Sequence, residues 1–281
     1  MILRPVEAVV VAYGYDDSLR ECLEMLAPEL PTIVVDNSSH PSVFALAHNL
    51  GLTYDDPGSN LGFASGVNRG LRRTSRDADV LLVNPDALVT PKAIFQLRQA
   101  AAHQGVAAVA PRLAEPDSGA ESRVLWPFPT PATAWRQALG LGDGKADDQG
   151  YVVGAVLLLT RPALNAVGGL DERFFLYAEE TDWQRRAFEQ GWRSVLCSAA
   201  HAIHVGAGTS SDPRRREILF YAGGETYIRK WFGSMGWASY RTANIVGALL
   251  RAAARPSDRG VQLSRAGLFL RGPRRTAGLQ P

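Results

Sequence analysis

Val6–Tyr13 reads VEAVVVAY, an almost unbroken apolar run that is rich in β-branched valine. Two later segments, Thr32–Asp36 (TIVVD) and Asp79–Val83 (DVLLV), have the same character. Unbroken apolar runs of this length, as opposed to alternating ones, are typical of strands that are covered on both faces of a parallel sheet. The three segments therefore predict the centre of a parallel β-sheet.

Segments with helical spacing separate these strands. Leu19, Leu23 and Leu26 fall on one side of a helix predicted over about 16–27. The other predicted elements are helices near 42–50, 62–73, 92–103, 162–167 and 181–190, and strands near 52–54, 106–111, 151–160 and 192–196. Such alternation indicates βαβ units with right-handed crossovers, and so an α/β fold with a mostly parallel central sheet and helices on both faces.

Residues 112–149 interrupt the alternation, because they are rich in Pro, Gly and Asp. Long irregular segments often form binding loops, and only one short helix, near 133–139, is expected here. From Arg214 onward the pattern is helical over about 215–231 and 237–254, and the Arg-, Gly- and Pro-rich final residues are expected to be loose. We therefore predict a domain over 1–213, with halves 1–111 and 112–213, followed by a basic helical appendage over 214–281.

The composition is that of a folded globular protein, with 281 residues of which 46% are hydrophobic and 21% charged. Cys22 and Cys197 lie in apolar stretches, which favours two reduced, buried thiols over a disulfide. The sequence shows no leader segment and no apolar run of the roughly 18–20 residues that span a bilayer. We expect a cytoplasmic protein.

The charge is unevenly distributed. Residues 214–281 hold 13 Lys and Arg against 3 Asp and Glu, a charge of +10, whereas the preceding residues carry −8. A basic tail on an acidic body points to an anionic surface, either a membrane or a nucleic acid. The acidic body and the lack of a recognisable binding module argue against nucleic acid.

Polar residues follow the second strand as Asp36-Asn37-Ser38. In open α/β sheets, ligands bind beyond the carboxyl ends of the strands. An acid at this position commonly binds the hydroxyls or the imide of a nucleoside. Asp and Asn also stabilise turns by bonding their own backbone, and the sequence does not decide between the two interpretations.

A second polar cluster, Asn84-Pro85-Asp86, follows the DVLLV strand. A carboxylate here is suited to holding a hard divalent cation against phosphate oxygens, and Pro85 stiffens the turn. His204 follows another strand and precedes a glycine-rich turn. Its imidazole is a candidate to complete a metal site with Asp86 or to donate to a diphosphate oxygen.

The third cluster, in FFLYAEETDW, places Glu179, Glu180 and Asp182 after an apolar run. Acids near a helix N-terminus are favoured by the helix dipole, which accounts for one of them but not for three. Crowded like charges raise the pKa of one carboxyl group toward a value useful for a general base. The cluster is therefore a candidate catalytic site.

Taken together and in this order, the clusters resemble glycosyltransferase family 2, in particular its bacterial rhamnosyltransferase-like branch of cell-envelope polysaccharide assembly. The resemblance covers about 7–211. The matching stretches are VVVAYGYDDSLRECLEML, IVVDNSS, SNLGFASGVNRG, LLVNPDALV, GAVLLLTRPALNAVGGLDERFFLYAEETDWQRRAFEQGW and HVGAGTSS.

The resemblance implies a GT-A-type fold, with a nucleotide-sugar-binding half over 1–111 and an acceptor and catalytic half over 112–213. It also implies contacts of Ala12, Tyr13 and Asp36 with the donor nucleoside. The floor below the donor would come from the SNLGFASGVNRG stretch. Its most characteristic positions are Asn60, Gly62 and Asn68.

For the reacting groups, the resemblance implies that Asp86 is the last aspartate of a DXD-type motif and that His204 lies near the metal and the diphosphate. Glu180 takes the place of the catalytic base, beside Glu179 and followed by Asp182. Two positions depart from the commoner pattern. Asn84, a neutral and weaker metal ligand, replaces the first acid of the DXD motif that would hold Mg²⁺ or Mn²⁺, and the base is Glu180 where Asp is commoner.

The implied reaction is an inverting transfer from a nucleotide-sugar, with dTDP-L-rhamnose as the preferred donor, to a hydroxyl of a glycan or a polyprenyl-diphosphate glycolipid. UDP-galactose, UDP-N-acetylglucosamine or GDP-mannose as donor, and a soluble natural product as acceptor, remain open. A non-catalytic nucleotide-sugar-binding scaffold is the alternative of another class. For the basic tail, an interfacial helix on an anionic membrane competes with a solvated helical pair that packs on the body. A homodimer also remains open.

Overall fold

The structure is a computed structural model that describes residues 3–116, 118–144, 150–205 and 212–279. The strands are β1 Val6–Ala12, β2 Thr32–Asp36, β3 Thr53–Asp55, β4 Asp79–Val83, β5 Ala87–Val89, β6 Val106–Ala114, β7 Glu121–Ser122, β8 Leu125–Pro127, β9 Gly150–Val152, β10 Val156–Leu159 and β11 Arg193–His204. The α-helices are α1 Asp17–Leu26, α2 Pro41–Asn49, α3 Phe63–Arg73, α4 Pro91–Ala101, α5 Pro131–Ala138, α6 Arg161–Val167, α7 Glu179–Phe188, α8 Pro213–Ala254, α9 Arg259–Arg271 and α10 Pro273–Thr276.

Nine strands form one sheet in the order β3-β2-β1-β4-β10-β6-β11-β5, with β7 beside β6. β3, β2, β1, β4, β6 and β11 run in one direction, whereas β10, β5 and β7 run in the other. The sheet is therefore mixed but mostly parallel, as the apolar runs predict. The central β1, β2 and β4 are buried along almost their whole length.

The chain divides into two compact units. The first unit comprises residues 1–126, 148–175 and 179–211 and contains the nine-stranded sheet. The second unit comprises residues 127–147, 176–178 and 212–281 and contains α5, α8, α9 and α10. Residues 127–147, part of the irregular segment in the sequence, are thus grouped with the C-terminal helices. No helix in the described part of the chain is long and apolar enough to cross a membrane.

In the first unit, α3 packs closely on β1 because glycines face the strand. A Cβ atom on Gly66 would lie 2.7 Å from Cγ1 of Val11, and one on Gly70 would clash with Cγ1 of Val9. Real side-chain contacts are not this short, so both positions require glycine for the helix to lie this near the strand. This packing fixes the N-terminal end of α3 at the carboxyl edge of the sheet.

Gly70→Ala is therefore expected to destabilise the protein by about 1–3 kcal/mol, because the new methyl group overpacks the interface with Val9. Gly260→Ala is the control, since a Cβ atom there meets nothing within 4 Å, and it should be neutral or stabilise by up to roughly 1 kcal/mol. Urea denaturation measures both. Equal stabilities of the two variants would contradict the close packing of α3 on β1.

In the second unit, α8 has a break at Gly233 (φ 65°), which separates the two helices predicted there. The prediction that the final residues are loose is wrong, because α9 and α10 extend the fold to Thr276. Phe269 is fully buried, and its ring centre lies 4.8 Å from that of Tyr221 and 6.2 Å from that of Trp237. These apolar contacts order a segment whose Arg, Gly and Pro content suggested a tail.

Two strand predictions also need correction, and three short strands were missed. The run at 151–160 is two strands, because β9 pairs with β8 whereas β10 pairs with β4 and β6. The predicted strand at 192–196 is the start of the longer β11, which continues along β6 after an irregularity between Cys197 and His201. The short strands β5, β7 and β8 were not predicted.

Candidate active site

The loops that follow β1 and β2 are joined by hydrogen bonds at the carboxyl edge of the sheet. The backbone N–H of Asn37 donates to the Ala12 carbonyl (2.9 Å), and that of Gly14 donates to Ser38 Oγ (2.9 Å). Ala12 is fully buried, so only its backbone is available to a ligand. Tyr13, by contrast, is 58% exposed. Of the two predicted nucleoside contacts in this loop, Tyr13 is the one that presents a side chain.

Asp36 is fully buried, and internal donors surround its carboxylate. Oδ1 accepts from the backbone N–H (2.9 Å) and the hydroxyl (2.5 Å) of Ser38, and Oδ2 accepts from the His40 N–H (2.8 Å) and the Tyr54 hydroxyl (3.0 Å). Burial and this last bond raise the pKa of Tyr54. The arrangement matches the turn-stabilising interpretation of Asp36, and a direct nucleoside contact would have to displace one of these donors.

The Asn84-Pro85-Asp86 turn follows β4 and is anchored on both sides. The Asn84 N–H donates to the Ala155 carbonyl (2.8 Å), and the Asn84 carbonyl accepts from the Ala87 N–H (3.0 Å). Cys22 Sγ, at 3.6 Å, also donates to this carbonyl. Burial raises the pKa of Cys22 to about 12, so the thiol remains a neutral donor. Both cysteines are free, as predicted, but of the two only Cys22 is buried, whereas Cys197 is partly exposed.

Asp86 and His204, which are far apart in the sequence, meet at this turn. β5 pairs with β11 so that Ala87 lies opposite His204. His204 Nε2 lies 3.3 Å from Asp86 Oδ1, and the Val205 N–H donates to the Asp86 carbonyl (3.1 Å). Asp86 is only 4% exposed. The glycine-rich stretch after His204, residues 206–211, lies outside the described residues.

At this turn, the side chains of Asp86 and His204 are the candidate ligands for a cation. Among the described residues, no group of three or more His, Cys, Asp or Glu side chains could hold a metal ion. Mg²⁺ is usually held by one or two carboxylates together with substrate phosphates and water. The pair therefore fits a cation that is shared with a bound diphosphate, and it does not fit a cation that the protein holds alone.

The loop before α3 depends on Gly62. Its N–H donates to Asn60 Oδ1 (2.9 Å), its carbonyl accepts from Asn37 Nδ2 (3.0 Å), and the next N–H, of Phe63, donates to the Phe175 carbonyl (2.7 Å). Gly62 has φ 83°, and a Cβ atom there would lie 2.5 Å from the Phe175 carbonyl oxygen. The predicted donor floor is thus bonded directly to the segment that leads to the acidic cluster.

Asn68, on α3, forms hydrogen bonds with residues 170–172, which precede the acidic cluster. Its Nδ2 donates to the carbonyl of Leu170 (2.8 Å) and to Glu172 Oε1 (2.9 Å), and its Oδ1 accepts from the Leu170 N–H (2.8 Å). All of these bonds lie within the protein. The structure therefore places Asn68 as a support for residues 170–172.

Glu179 and Glu180 form the first turn of α7, which the chain enters through two left-handed residues, Tyr177 (φ 69°) and Ala178 (φ 72°). Such φ values are unfavourable for residues other than glycine. Glu179 is 4% exposed, and its Oε2 has no hydrogen-bond partner among the described residues. Glu180 is only partly buried.

The two carboxyl groups share an environment that favours their neutral forms. Burial, and then the nearby charge of Glu180, hold the pKa of Glu179 well above its usual range. Burial also raises the pKa of Glu180, whereas the backbone N–H groups of Glu180 and Thr181 oppose that shift. Of the two groups, Glu180 combines the better access with N–H groups that stabilise its carboxylate, so it is the better candidate to accept a proton.

A short glycine segment connects Glu180 with the Asn84–Asp86 turn. A Cβ atom on Gly154 would lie 3.0 Å from Cγ of Glu180, and the adjacent Ala155 accepts the hydrogen bond from Asn84. The carboxylate predicted as the base and the turn predicted to hold the cation therefore lie against the same dipeptide. Sequence reasoning missed Gly154, although a glycine inside an apolar strand run can indicate close approach of another group.

Asp182 has a structural role, unlike Glu180. It is fully buried and 3.1 Å from Nε of Arg186, which also donates to the carbonyls of Val167 and Gly169 (2.9 and 2.7 Å). Trp183 Nε1 donates to Gly168 (2.8 Å). Asp182 thus helps to attach α7 to the loop after α6. Sequence reasoning placed it with the catalytic acids and did not anticipate Arg186 as its partner.

Gln184, one turn after Glu180, fixes the same helix to β9. Its Oε1 accepts from the Val152 N–H and its Nε2 donates to the Val152 carbonyl, both at 2.8 Å. Nε2 also donates to the Glu180 carbonyl (3.1 Å). The sequence does not reveal this role, because no pattern distinguishes a helical glutamine that bonds a neighbouring strand from one on the surface.

Comparison with known proteins gives consistent results. Residues 4–219 match the model of a family described as glycosyltransferase like family 2. The chain is 31% identical over 208 residues to N-acetylglucosaminyl-diphospho-decaprenol L-rhamnosyltransferase of Mycobacterium tuberculosis, which covers 64% of this chain and 67% of that protein. It is 23% identical over 212 residues to the low-salt glycan biosynthesis hexosyltransferase Agl10 of Haloferax volcanii, covering 72% and 68%.

Solved structures share the fold at low identity. GalNAc-T7, solved with UDP, GalNAc and Mn²⁺, superposes with a TM-score of 0.60 at 11% identity, covering 87% of this chain and 51% of that one. Residues 1–349 of TarS from S. aureus give a TM-score of 0.53 at 13% identity, covering 87% and 80%. At these identities the likeness concerns the fold alone.

Proposed function

The chain belongs to glycosyltransferase-like family 2 and is a glycosyltransferase with a GT-A-type fold, and from that premise we propose that it transfers a sugar from a nucleotide-diphospho-sugar to a hydroxyl group with inversion at the anomeric carbon. One observation carries the proposal. Glu180 and the Asn84–Asp86 turn lie against the same Gly154-Ala155 dipeptide. A base and a diphosphate site must adjoin in this way, because the acceptor hydroxyl and the leaving group lie on opposite sides of one carbon atom.

On the donor side, Asp86 and His204 are proposed to lie beside the diphosphate. A Mg²⁺ or Mn²⁺ ion bound with the donor would neutralise the charge that develops on this leaving group. His204 Nε2 lies 3.3 Å from Asp86 Oδ1, so the two side chains lie side by side at the proposed diphosphate site. Asp36 and Ser38 shape the nucleoside side of the site through the loop after β2.

On the acceptor side, Glu180 is the proposed base. It takes the proton from the acceptor hydroxyl while the oxygen attacks the anomeric carbon and the bond to the diphosphate breaks. A single displacement inverts the configuration and needs no nucleophilic side chain. Glu179, buried beside Glu180, is proposed to stay neutral, and Asp182 is proposed to hold the helix through Arg186.

For the substrates, we propose dTDP-L-rhamnose as donor and a polyprenyl-diphosphate-linked glycan as acceptor. The support is the 31% identity to an enzyme named as an N-acetylglucosaminyl-diphospho-decaprenol L-rhamnosyltransferase. A thermal-shift screen with dTDP-rhamnose, UDP-galactose, UDP-N-acetylglucosamine and GDP-mannose, each with and without Mn²⁺, tests the donor. The largest stabilisation is expected with dTDP-rhamnose, and a larger one with a UDP- or GDP-sugar would replace that assignment.

A second proposal concerns the location of the protein, which we place at the inner face of an anionic membrane. Residues 214–281 carry a charge of +10, and the second unit exposes large apolar side chains, among them Phe220, Met235, Leu249 and Leu250. Basic and apolar groups together favour binding to anionic lipid. Trp237 does not contribute to this exposed apolar surface, because it is only 4% exposed. Sedimentation with anionic and with neutral vesicles tests the proposal, and equal binding to both would reject it.

The pH dependence of turnover follows from the environment of Glu180. The base must be ionised, and burial raises the pKa of Glu180, so kcat should rise with pH and reach half its maximum above the ordinary glutamate value of about 4.3. A profile of kcat at saturating substrates measures this. Glu180→Asp should retain a rising acidic limb. A wild-type midpoint at or below the ordinary value would contradict Glu180, with its raised pKa, as the base.

A further inference from the structure

We propose that the second unit contains a binding site for a diphosphate group, in a cavity of about 670 Å³ lined by arginines. This volume lies within the roughly 300–1,000 Å³ that is usual for small-molecule sites. The charged residues of the lining are Arg229, Arg241, Arg271, Arg274, Arg275 and Glu225. Five arginines against one glutamate give the lining a formal charge of +4.

The single carboxylate of the lining is already engaged. Glu225 is 5% exposed; its Oε1 accepts from Nε of Arg229 (2.8 Å) and its Oε2 from the backbone N–H of Arg274 (3.1 Å). Arg271 and Arg275 have no carboxylate within 4 Å in the described part of the chain. The charges of Arg271 and Arg275 are therefore not balanced by a carboxylate of the described residues.

Two of the arginines are held in place before any ligand arrives. Arg241 donates through Nε to the Phe269 carbonyl (2.7 Å) and through Nη2 to the Leu270 carbonyl (2.6 Å), which leaves its other N–H groups for a ligand. The Arg229 guanidinium lies over the buried Trp237 ring, 5.2 Å from its centre. Pre-positioned donors lose less conformational entropy on binding.

The chemistry of the lining selects a phosphate-rich anion. The planar guanidinium group presents paired N–H donors that match two phosphate oxygens, and such charge-assisted hydrogen bonds are stronger than neutral ones. A net charge of +4 within one cavity favours a multivalent anion over a single carboxylate. A diphosphate supplies both the charge and the number of acceptor oxygens that these arginines require.

The source of the diphosphate is proposed to be a lipid, as the head group of the glycosyl acceptor. This part of the inference rests on the proposed function, whereas the anion site rests on the second unit alone. A lipid diphosphate in this cavity would be a specific ligand of the basic region, in addition to the general attraction of that region to anionic membranes.

Calorimetry with inorganic pyrophosphate in the presence of EDTA tests the site, since the chelator removes any cation from the Asp86–His204 pair. Saturable binding is expected, and Arg271→Gln/Arg275→Gln should weaken it at least about ten-fold. Arg271→Lys/Arg275→Lys should weaken it less, because the charge is kept while the paired donors are lost.

The matched control is Arg255→Gln/Arg259→Gln, which removes the same charge from exposed residues outside the lining and should change affinity less than about two-fold. Absence of saturable binding, or equal weakening by the control, would overturn the inference.

Vesicle binding identifies the source. Phosphatidylcholine vesicles carrying polyprenyl diphosphate are compared with vesicles carrying phosphatidylglycerol. If Arg271→Gln/Arg275→Gln loses binding to the polyprenyl diphosphate vesicles alone, the lipid diphosphate is the ligand. In that case KM for a lipid-linked acceptor should rise, whereas kcat and the donor KM should stay unchanged. Equal loss with both would assign the cavity to phospholipid head groups, and no loss with either would exclude a lipid source. Pyrophosphate binding without any sugar transfer would contradict the proposed function and leave the anion site standing.

Discussion

Glu180→Gln is expected to lower kcat by roughly 10²–10⁴-fold, which is the usual contribution of a general base. Glutamine has almost the same shape, so it should keep the contact with Gly154 and the start of α7. It cannot accept the proton of the acceptor hydroxyl. Donor affinity should therefore stay within about two-fold of the wild-type value, because the base contributes to the transition state rather than to donor binding.

Initial rates at saturating donor and acceptor, together with donor titration by calorimetry, measure the two effects separately. The matched control is Glu189→Gln, which removes an exposed carboxylate just after the same helix and should leave kcat unchanged. A Glu180→Gln enzyme with near-normal kcat would remove Glu180 from the role of base, whatever the state of the donor site.

Asp86→Ala is expected to weaken donor binding at least about ten-fold in the presence of Mn²⁺, because the one carboxylate at the diphosphate site is lost. Of the Asp86–His204 pair, only His204 would remain there. In the presence of EDTA, the donor affinities of the variant and the wild type should differ less, since the Asp86 carboxylate then has no cation to hold.

Asp77→Ala serves as the control for this substitution. Asp77 is exposed and precedes the same strand, β4, at its opposite end. Its loss should leave donor affinity unchanged with and without the cation. Melting temperatures of both variants separate loss of a ligand from loss of the fold. Unchanged donor affinity of the Asp86→Ala protein in Mn²⁺ would contradict the assignment of Asp86 to the diphosphate.

The central sheet could be predicted from the sequence because burial on both faces leaves a continuous apolar pattern. β1, β2 and β4 match the runs VEAVVVAY, TIVVD and DVLLV closely. The C-terminal helices α9 and α10 could not be predicted in this way. Their order depends on tertiary contacts such as that of Phe269 with Trp237, which a local composition rich in Arg, Gly and Pro does not reveal.

At the candidate site, the sequence indicated which residues carry the chemistry but not how they are arranged. Asp86 and His204 meet only because β5 and β11 pair. The two interpretations of Asp36 differ in its hydrogen bonds, which the structure assigns to Ser38, His40 and Tyr54. The convergence of Glu180 with the Asn84–Asp86 turn at Gly154-Ala155 depends on the antiparallel β10, a feature that no motif encodes.

The anomeric configuration of the product tests the central claim most directly. The donor that gives the largest thermal stabilisation is incubated with enzyme and acceptor, and the anomeric configuration of the new glycosidic linkage is determined by NMR. With Glu180 as base and a single displacement from the diphosphate, the product should have the anomeric configuration opposite to that of the donor. Retention of the donor configuration would contradict the account, because it would require a second displacement or a different mechanism.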